Sequence, residues 1–152
     1  MGLTLDVIIP FHGRTDLLRR CAGALALNVA RPASVLLVDD GSPRPPSPEV
    51  AGAIERLRLP VRWLRLEERR GFVGAVNHAW MCCQADAVLL INDDAVVADD
   101  TLLRIGQALA ADSDLGAVAP CSDHPADLFQ HRAGPAGRGL TEGRYLTAAC
   151  LA

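Results

Sequence analysis

The chain of 152 residues contains no lysine: all 15 basic residues are arginine, which excludes any chemistry that turns on a lysine side chain. It also lacks a cationic excess. With a formal charge of -3 and a pI near 5.7 it has no sign of the clustered basic surface with which nucleic-acid binders neutralise phosphates, so nucleic acid is not an expected partner. No stretch approaches the roughly 20 apolar residues of a membrane span, the N-terminus carries no basic leader, and Asp6 interrupts the first apolar run. A cytoplasmic location is therefore expected. The five cysteines (Cys21, Cys82, Cys83, Cys121, Cys150) form an odd set without a C-x-x-C pair, and three lie in apolar segments. Buried reduced thiols are the expectation, ahead of disulfides or a zinc site.

What is present is enough apolar material, 50% of the residues, for one domain over 1–152. Leu5 to Pro10 reads as a strand, and the helical spacing of Leu17, Leu18, Cys21, Ala24 and Leu25 follows it, with Thr15 as a cap and Pro32 as a stop. Ser34 to Val38 is a second strand ending in Asp39-Asp40-Gly41-Ser42. Ser47-Pro48-Glu49 combines a cap, a proline suited to the first helical position and a dipole-favourable acid, and predicts a helix to about Leu57. Val61 to Leu66 alternates apolar residues with arginine, as an edge strand with one wet face would. Gly71 to Gln84 returns to helical spacing. Asp86 to Ile91 is continuously apolar, as a strand covered on both faces is, and ends in Asn92-Asp93-Asp94. Asp99 or Asp100 can cap a helix over Leu102 to Leu109, and Leu115 to Pro120 reads as a fifth strand. Residues 122–144 are loop-like, and Tyr145 to Ala152 reads as a further strand. This alternation predicts an α/β fold with a doubly wound, mainly parallel sheet.

In such sheets ligands bind beyond the carboxyl ends of the strands, where strand order reverses, and both acid pairs lie at such ends. In the order 3-2-1-4 the pairs Asp39-Asp40 and Asp93-Asp94 stand about 10 Å apart, two strand spacings, roughly the distance from a nucleoside to its diphosphate. Carboxylates beside a diphosphate imply Mg2+ or Mn2+ between them. Arg69-Arg70-Gly71 precedes a helix start, where N–H groups and guanidinium groups can meet phosphate oxygens. Asn77 is a polar amide within an apolar helix, facing either solvent or a ligand. His12, His78, His124 and His131 show no metal-ligand spacing.

Read together, Val7-Ile8-Ile9-Pro10-Phe11-His12-Gly13-Arg14, Val38-Asp39-Asp40-Gly41-Ser42, Gly71-Phe72-Val73-Gly74-Ala75-Val76-Asn77 and Leu90-Ile91-Asn92-Asp93-Asp94-Ala95 resemble, in order, four segments of family 2 glycosyltransferases. The resemblance implies a GT-A, nucleotide-diphospho-sugar transferase-like fold. The implied donor is a UDP-, GDP- or dTDP-sugar, held with Mn2+ or Mg2+. The implied reaction is transfer to the hydroxyl of a saccharide or lipid-linked acceptor with inversion, in cell-wall or polysaccharide biosynthesis, and it leaves room for association with a membrane surface. By analogy Asp39 contacts the base, Asp93 the ribose or phosphate side, and Asp94 the metal. Pro10, Phe11, Arg14, Asp40, Arg70, Gly71, Asn77 and Asn92 complete the implied substrate-binding set.

The chain departs from the family where many members carry an aromatic residue and Asn after the first proline: it has Phe11-His12-Gly13. Tyr145 to Leu151 resembles the strand below the donor sugar, after which the family's catalytic base normally comes. The base is therefore expected beyond Ala152, in a domain incomplete at its C-terminus, with Asp123, Asp127 or Glu142 as alternative sources. Two rivals remain at this stage. One is a module that binds nucleotide-sugar without turning it over. The other is a phospho-accepting receiver domain, whose first strand Val35 to Asp40 also resembles; the missing lysine and the strand and helix preceding Asp39 count against it.

Overall fold

The computed structural model describes residues 3–120 and Cys150–Leu151. Its elements alternate as the hydrophobic periodicity requires: β1 (Leu5–Phe11), α1 (Thr15–Ala26), β2 (Ser34–Asp39), α2 (Pro48–Glu55), β3 (Val61–Arg65), α3 (Gly71–Trp80), β4 (Ala87–Ile91), α4 (Thr101–Ala111) and β5 (Cys150–Leu151). The sheet order is β3-β2-β1-β4-β5. The first four strands are parallel, and β5 runs antiparallel to β4, with Leu90 opposite Leu151. The chain thus winds outward from β1 to β3, then crosses to the other side of β1. The reversal falls between β1 and β4.

Alternation along the strands divides the core in two. Val7, Ile9 and Phe11 of β1, with Val35, Leu37, Leu89 and Ile91, pack against α1, α2 and α4. Ile8, Leu36, Val38 and Val88 face the opposite way, against Ala75, Val76 and Ala79 of α3. Pairing of β1 with β4 runs only from Leu5 to Ile8, while pairing with β2 continues to Phe11. Pro10, which has no N–H to donate, lies beyond the last β4 partner, so the two strands part there without an orphaned donor. In sheets of this topology the carboxyl ends beside the reversal border a crevice. Among the described residues no helix is long and apolar enough to cross a membrane.

Several local expectations are corrected. Leu115 to Pro120 forms no strand: the free edge of β4 is occupied by β5, and Gly116, Ala117, Ala119 and Pro120 are residue types of low strand preference. Val118 still packs against the larger core. Thr15 is the first helical residue of α1, and Arg14 precedes it without a side-chain cap. Asp100 stands at the start of α4, also without a side-chain cap bond; the carboxamide of Asn28 accepts from Leu102 N at 3.0 Å instead. Ser47 does cap α2, accepting from Val50 N. Arg62 and Arg65, three positions apart, do not share one wet face of β3: Arg62 donates to the Cys82 carbonyl on the α3 side, and Arg65 bonds to Asp39. The loop over 122–144, Tyr145 to Ala149 and Ala152 lie outside the described residues; of the expected Tyr145 to Ala152 strand, Cys150–Leu151 is described, as β5.

Asp6 explains why α3 stops at Trp80 rather than at Gln84. Its carboxylate is buried within the sheet and accepts from Ser34 Oγ at 2.6 Å, Gln84 N at 2.8 Å and Ala85 N at 3.1 Å. The N–H groups that would have continued the helix turn toward β1. Burial by itself raises the Asp6 pKa, but the bonds from Ser34, Gln84 and Ala85 outweigh it and hold the carboxyl below its ordinary value. A lowered folded pKa means stability that is present above the unfolded value and is lost as pH falls through the folded one. Asp6→Asn, which presents an amide to N–H donors, is therefore expected to cost about 2 kcal/mol at pH 7. In urea titrations the gap to wild type should narrow as pH falls below about 4, where the carboxylate protonates. A pH-independent gap would contradict this role for the charge.

Candidate functional site

At the end of β2 two adjacent aspartates leave by opposite faces. Asp39 and Arg65 are paired residues in the β2–β3 register, and the Arg65 Nη1 donates to Asp39 Oδ2 while Nη2 donates to the Ser42 carbonyl at 2.9 Å. Asp39 Oδ1 accepts from Ser42 N at 2.9 Å. Both oxygens are engaged, yet each carboxylate oxygen has a second acceptor position. Beside this pair lies a cleft of about 290 Å³ walled by Pro45, Pro46, Glu55 and Trp63. Trp63 in turn meets Phe11 edge to face at 6.2 Å.

Asp40 points toward α3. Its Oδ1 accepts from Arg70 N at 2.6 Å and its Oδ2 from Gly71 N at 2.9 Å. The first N–H groups of α3, expected to be available to phosphate oxygens, are thus occupied by a carboxylate of the chain itself. Gly41 makes this approach feasible. Its φ is +62°, and a Cβ there would stand 2.5 Å from Arg69 N. The neighbouring loop is tied in as well: His12 Nδ1 bonds with the Asp40 carbonyl at 2.9 Å, and Gly13 N donates to Ser42 Oγ at 2.8 Å.

Across the crevice, Arg14 reaches the end of β4. Its Nη2 lies 2.6 Å from Asp93 Oδ1 and 3.4 Å from Asp94 Oδ2. The Asp93 side chain is 6% exposed and that of Asp94 is 48% exposed, so one is buried and the other open to solvent. Burial pushes the Asp93 carboxyl above its ordinary pKa; the charge and hydrogen bond of Arg14 oppose that shift without cancelling it. Arg14 itself is raised, chiefly by the Asp93 charge. Asp93 and Asp94 offer two carboxylates, and no group of three or more potential ligands occurs among the described residues. That donor set fits Mg2+ or Mn2+ shared with a diphosphate, and does not fit a cage built from protein ligands alone.

The remaining sequence candidates separate. Pro10 and Phe11 are buried in β1, shaping the crevice from below. Asn92 contributes its carbonyl, which accepts from Ala95 N at 3.1 Å and from the Cys21 thiol at 3.5 Å. Arg70 is exposed at the start of α3, and Gly71 supplies an N–H to Asp40. Asn77 is exposed on α3, six residues beyond Gly71 and so about 9 Å along the helix axis. It does not join the cluster of acids. Cys21 is buried; Cys82 and Cys83 are half-buried thiols, and burial pushes Cys83 up to about 11. Sequence reasoning missed Arg65, although two parallel neighbours ending in Asp39 and Arg65 were a readable signal. It also missed His12 and Ser42 as ties between loops. Gly41→Ala is expected to cost about 2 kcal/mol or more, from the left-handed backbone and the encroachment on Arg69. Thermal unfolding of the variant checks this; an unchanged midpoint would contradict it.

The fold has counterparts among known proteins. The model of "Glycosyl transferase family 2" matches residues 6–146. Among solved structures, the mannosyltransferase PcManGT from Pyrobaculum calidifontis, in complex with GDP-Man and Mn2+, is similar with a TM-score of 0.68 and 25% identity over 84% of this chain and 37% of its own. GalNAc-T7 with UDP, GalNAc and Mn2+ is similar in fold, with a TM-score of 0.63 and 22% identity over 73% of this chain and 21% of its own. TarS of S. aureus, residues 1–349, gives 0.61 and 21% over 72% of this chain and 33% of its own. The chain thus spans little more than a third of the length of these structures, or less. No match was found among curated proteins. The sheet is that of a GT-A glycosyltransferase, the receiver reading is set aside, and the chain belongs to glycosyl transferase family 2.

Proposed function

We propose that the chain binds a nucleoside-diphosphate sugar with Mn2+ or Mg2+ at the carboxyl ends of β1, β2 and β4, as the donor-binding portion of an enzyme that transfers the sugar to an acceptor hydroxyl with inversion. The observation that carries this reading is the meeting of Arg14 with Asp93 and Asp94 across the strand-order reversal, with Asp39 on the next strand but one.

In this reading the free acceptor positions of Asp39 take N–H groups of the nucleobase, and Arg65 and Ser42 hold that carboxylate in place. Asp40 acts indirectly, fixing the start of α3 so that Arg69 and Arg70 project beside the site. Asp93 addresses the ribose or phosphate side, and Asp94 is the metal ligand. A cation held there would supply positive charge to offset that developing on the departing diphosphate. The acceptor proton requires a base. No described residue is assigned that role; Asp123, Asp127 and Glu142 lie outside the described set.

Calorimetric titration with UDP, GDP and dTDP, each with and without Mn2+, tests the donor site. At least one nucleotide should bind, binding should depend on the metal, and Asp94→Ala should weaken it by about tenfold or more. Binding that is indifferent to both metal and substitution would overturn the reading.

A further inference from the structure

The contact between Arg14 and the two β4 carboxylates has a consequence for loading. One guanidinium nitrogen faces both Asp93 and Asp94, at 2.6 and 3.4 Å. A cation held by those oxygens would sit within a few ångströms of a like charge that is already in place. The Arg14 backbone is anchored, because the Gly13 N–H beside it donates to Ser42 Oγ. Its side chain is 55% exposed, so the guanidinium can pivot on a fixed base.

We propose that Arg14 is a resident counter-cation that makes metal binding conditional on the donor's diphosphate. Without donor, Arg14 neutralises Asp93 and Asp94 and opposes a metal ion entering between them. When a diphosphate arrives with its cation, the added negative charge gives the guanidinium a second set of oxygens, which its planar fork matches well. Arg14 then leaves the carboxylates to the metal and meets the phosphates. Metal and nucleotide load together rather than in succession. This inference rests on the reading of Asp93 and Asp94 as the metal side of a donor site.

Free Mn2+, counted by its electron paramagnetic resonance signal, can be followed as MnCl2 is titrated into the full chain with and without UDP or GDP. The variants are Arg14→Gln, Arg14→Ala, Arg14→Lys and Asp94→Ala. Both neutral Arg14 variants should bind Mn2+ alone about tenfold more tightly than wild type, the scale on which one nearby charge shifts an ionic equilibrium. Arg14→Lys should restore weak binding, which separates charge from folding. The nucleotide should raise Mn2+ affinity by a smaller factor in Arg14→Gln than in wild type. Equal or weaker Mn2+ binding in the neutral variants, with Asp94→Ala still impaired, would overturn the role of Arg14 and leave the donor site standing. Mn2+ binding that Asp94→Ala does not weaken would remove the carboxylate site itself, and the role of Arg14 with it.

Discussion

Successive side chains of a strand leave by opposite faces, and at the end of β2 this constraint sends Asp39 toward Arg65 and Asp40 toward the start of α3. Two identical neighbours in sequence therefore cannot share one task. Asp39 remains beside an open cleft. Asp40 has both oxygens taken by the Arg70 and Gly71 N–H groups, where its charge also complements the positive end of the helix. The close approach of the β3–α3 connection to Gly41 follows from that bond, and so does the position of the two arginines before α3.

The same separation of tasks runs through the other acids. Asp6, at the amino end of β1, has three donors and a lowered pKa, and it serves the fold. Asp93, at the carboxyl end of β4, is also buried, but its pKa is raised because burial outweighs the pairing with Arg14. Its ionised form costs stability at neutral pH, a contribution favourable at low pH and lost as pH rises through the folded pKa. A buried carboxylate that the fold leaves under-compensated is the kind of group a bound ligand can satisfy. Opposite ends of one sheet thus hold one acid whose ionised form stabilises the fold and another whose ionised form does not.

Much of this fold was legible because hydrophobic period and strand length are local. The strands and helices through α4 and the edge position of β3 follow from such patterns, while the order of the first four strands is the one supposed for a doubly wound sheet. What escaped were contacts between residues far apart in the chain. Asp6 stopping α3, Asn28 standing in for the cap of α4, and the antiparallel pairing of β5 with β4 each depend on tertiary neighbours that no window of sequence contains. In the site, the acids were visible as residues at strand ends, while the contact that takes up Asp40 was not. Asp40 carried the same letter as Asp39, and only its placement showed that its oxygens belong to α3.

In the proposed site a cation and a nucleoside diphosphate meet between the carboxyl ends of β1 and β4. Paramagnetic broadening of backbone amide signals by Mn2+, recorded with GDP or UDP present, tests it at residue level. Loss of signal should centre on Gly13–Arg14 and Asp93–Asp94, with Asp6 and Gln84 at the far end of the sheet broadened least. Broadening centred elsewhere, or spread evenly over the chain, would contradict it.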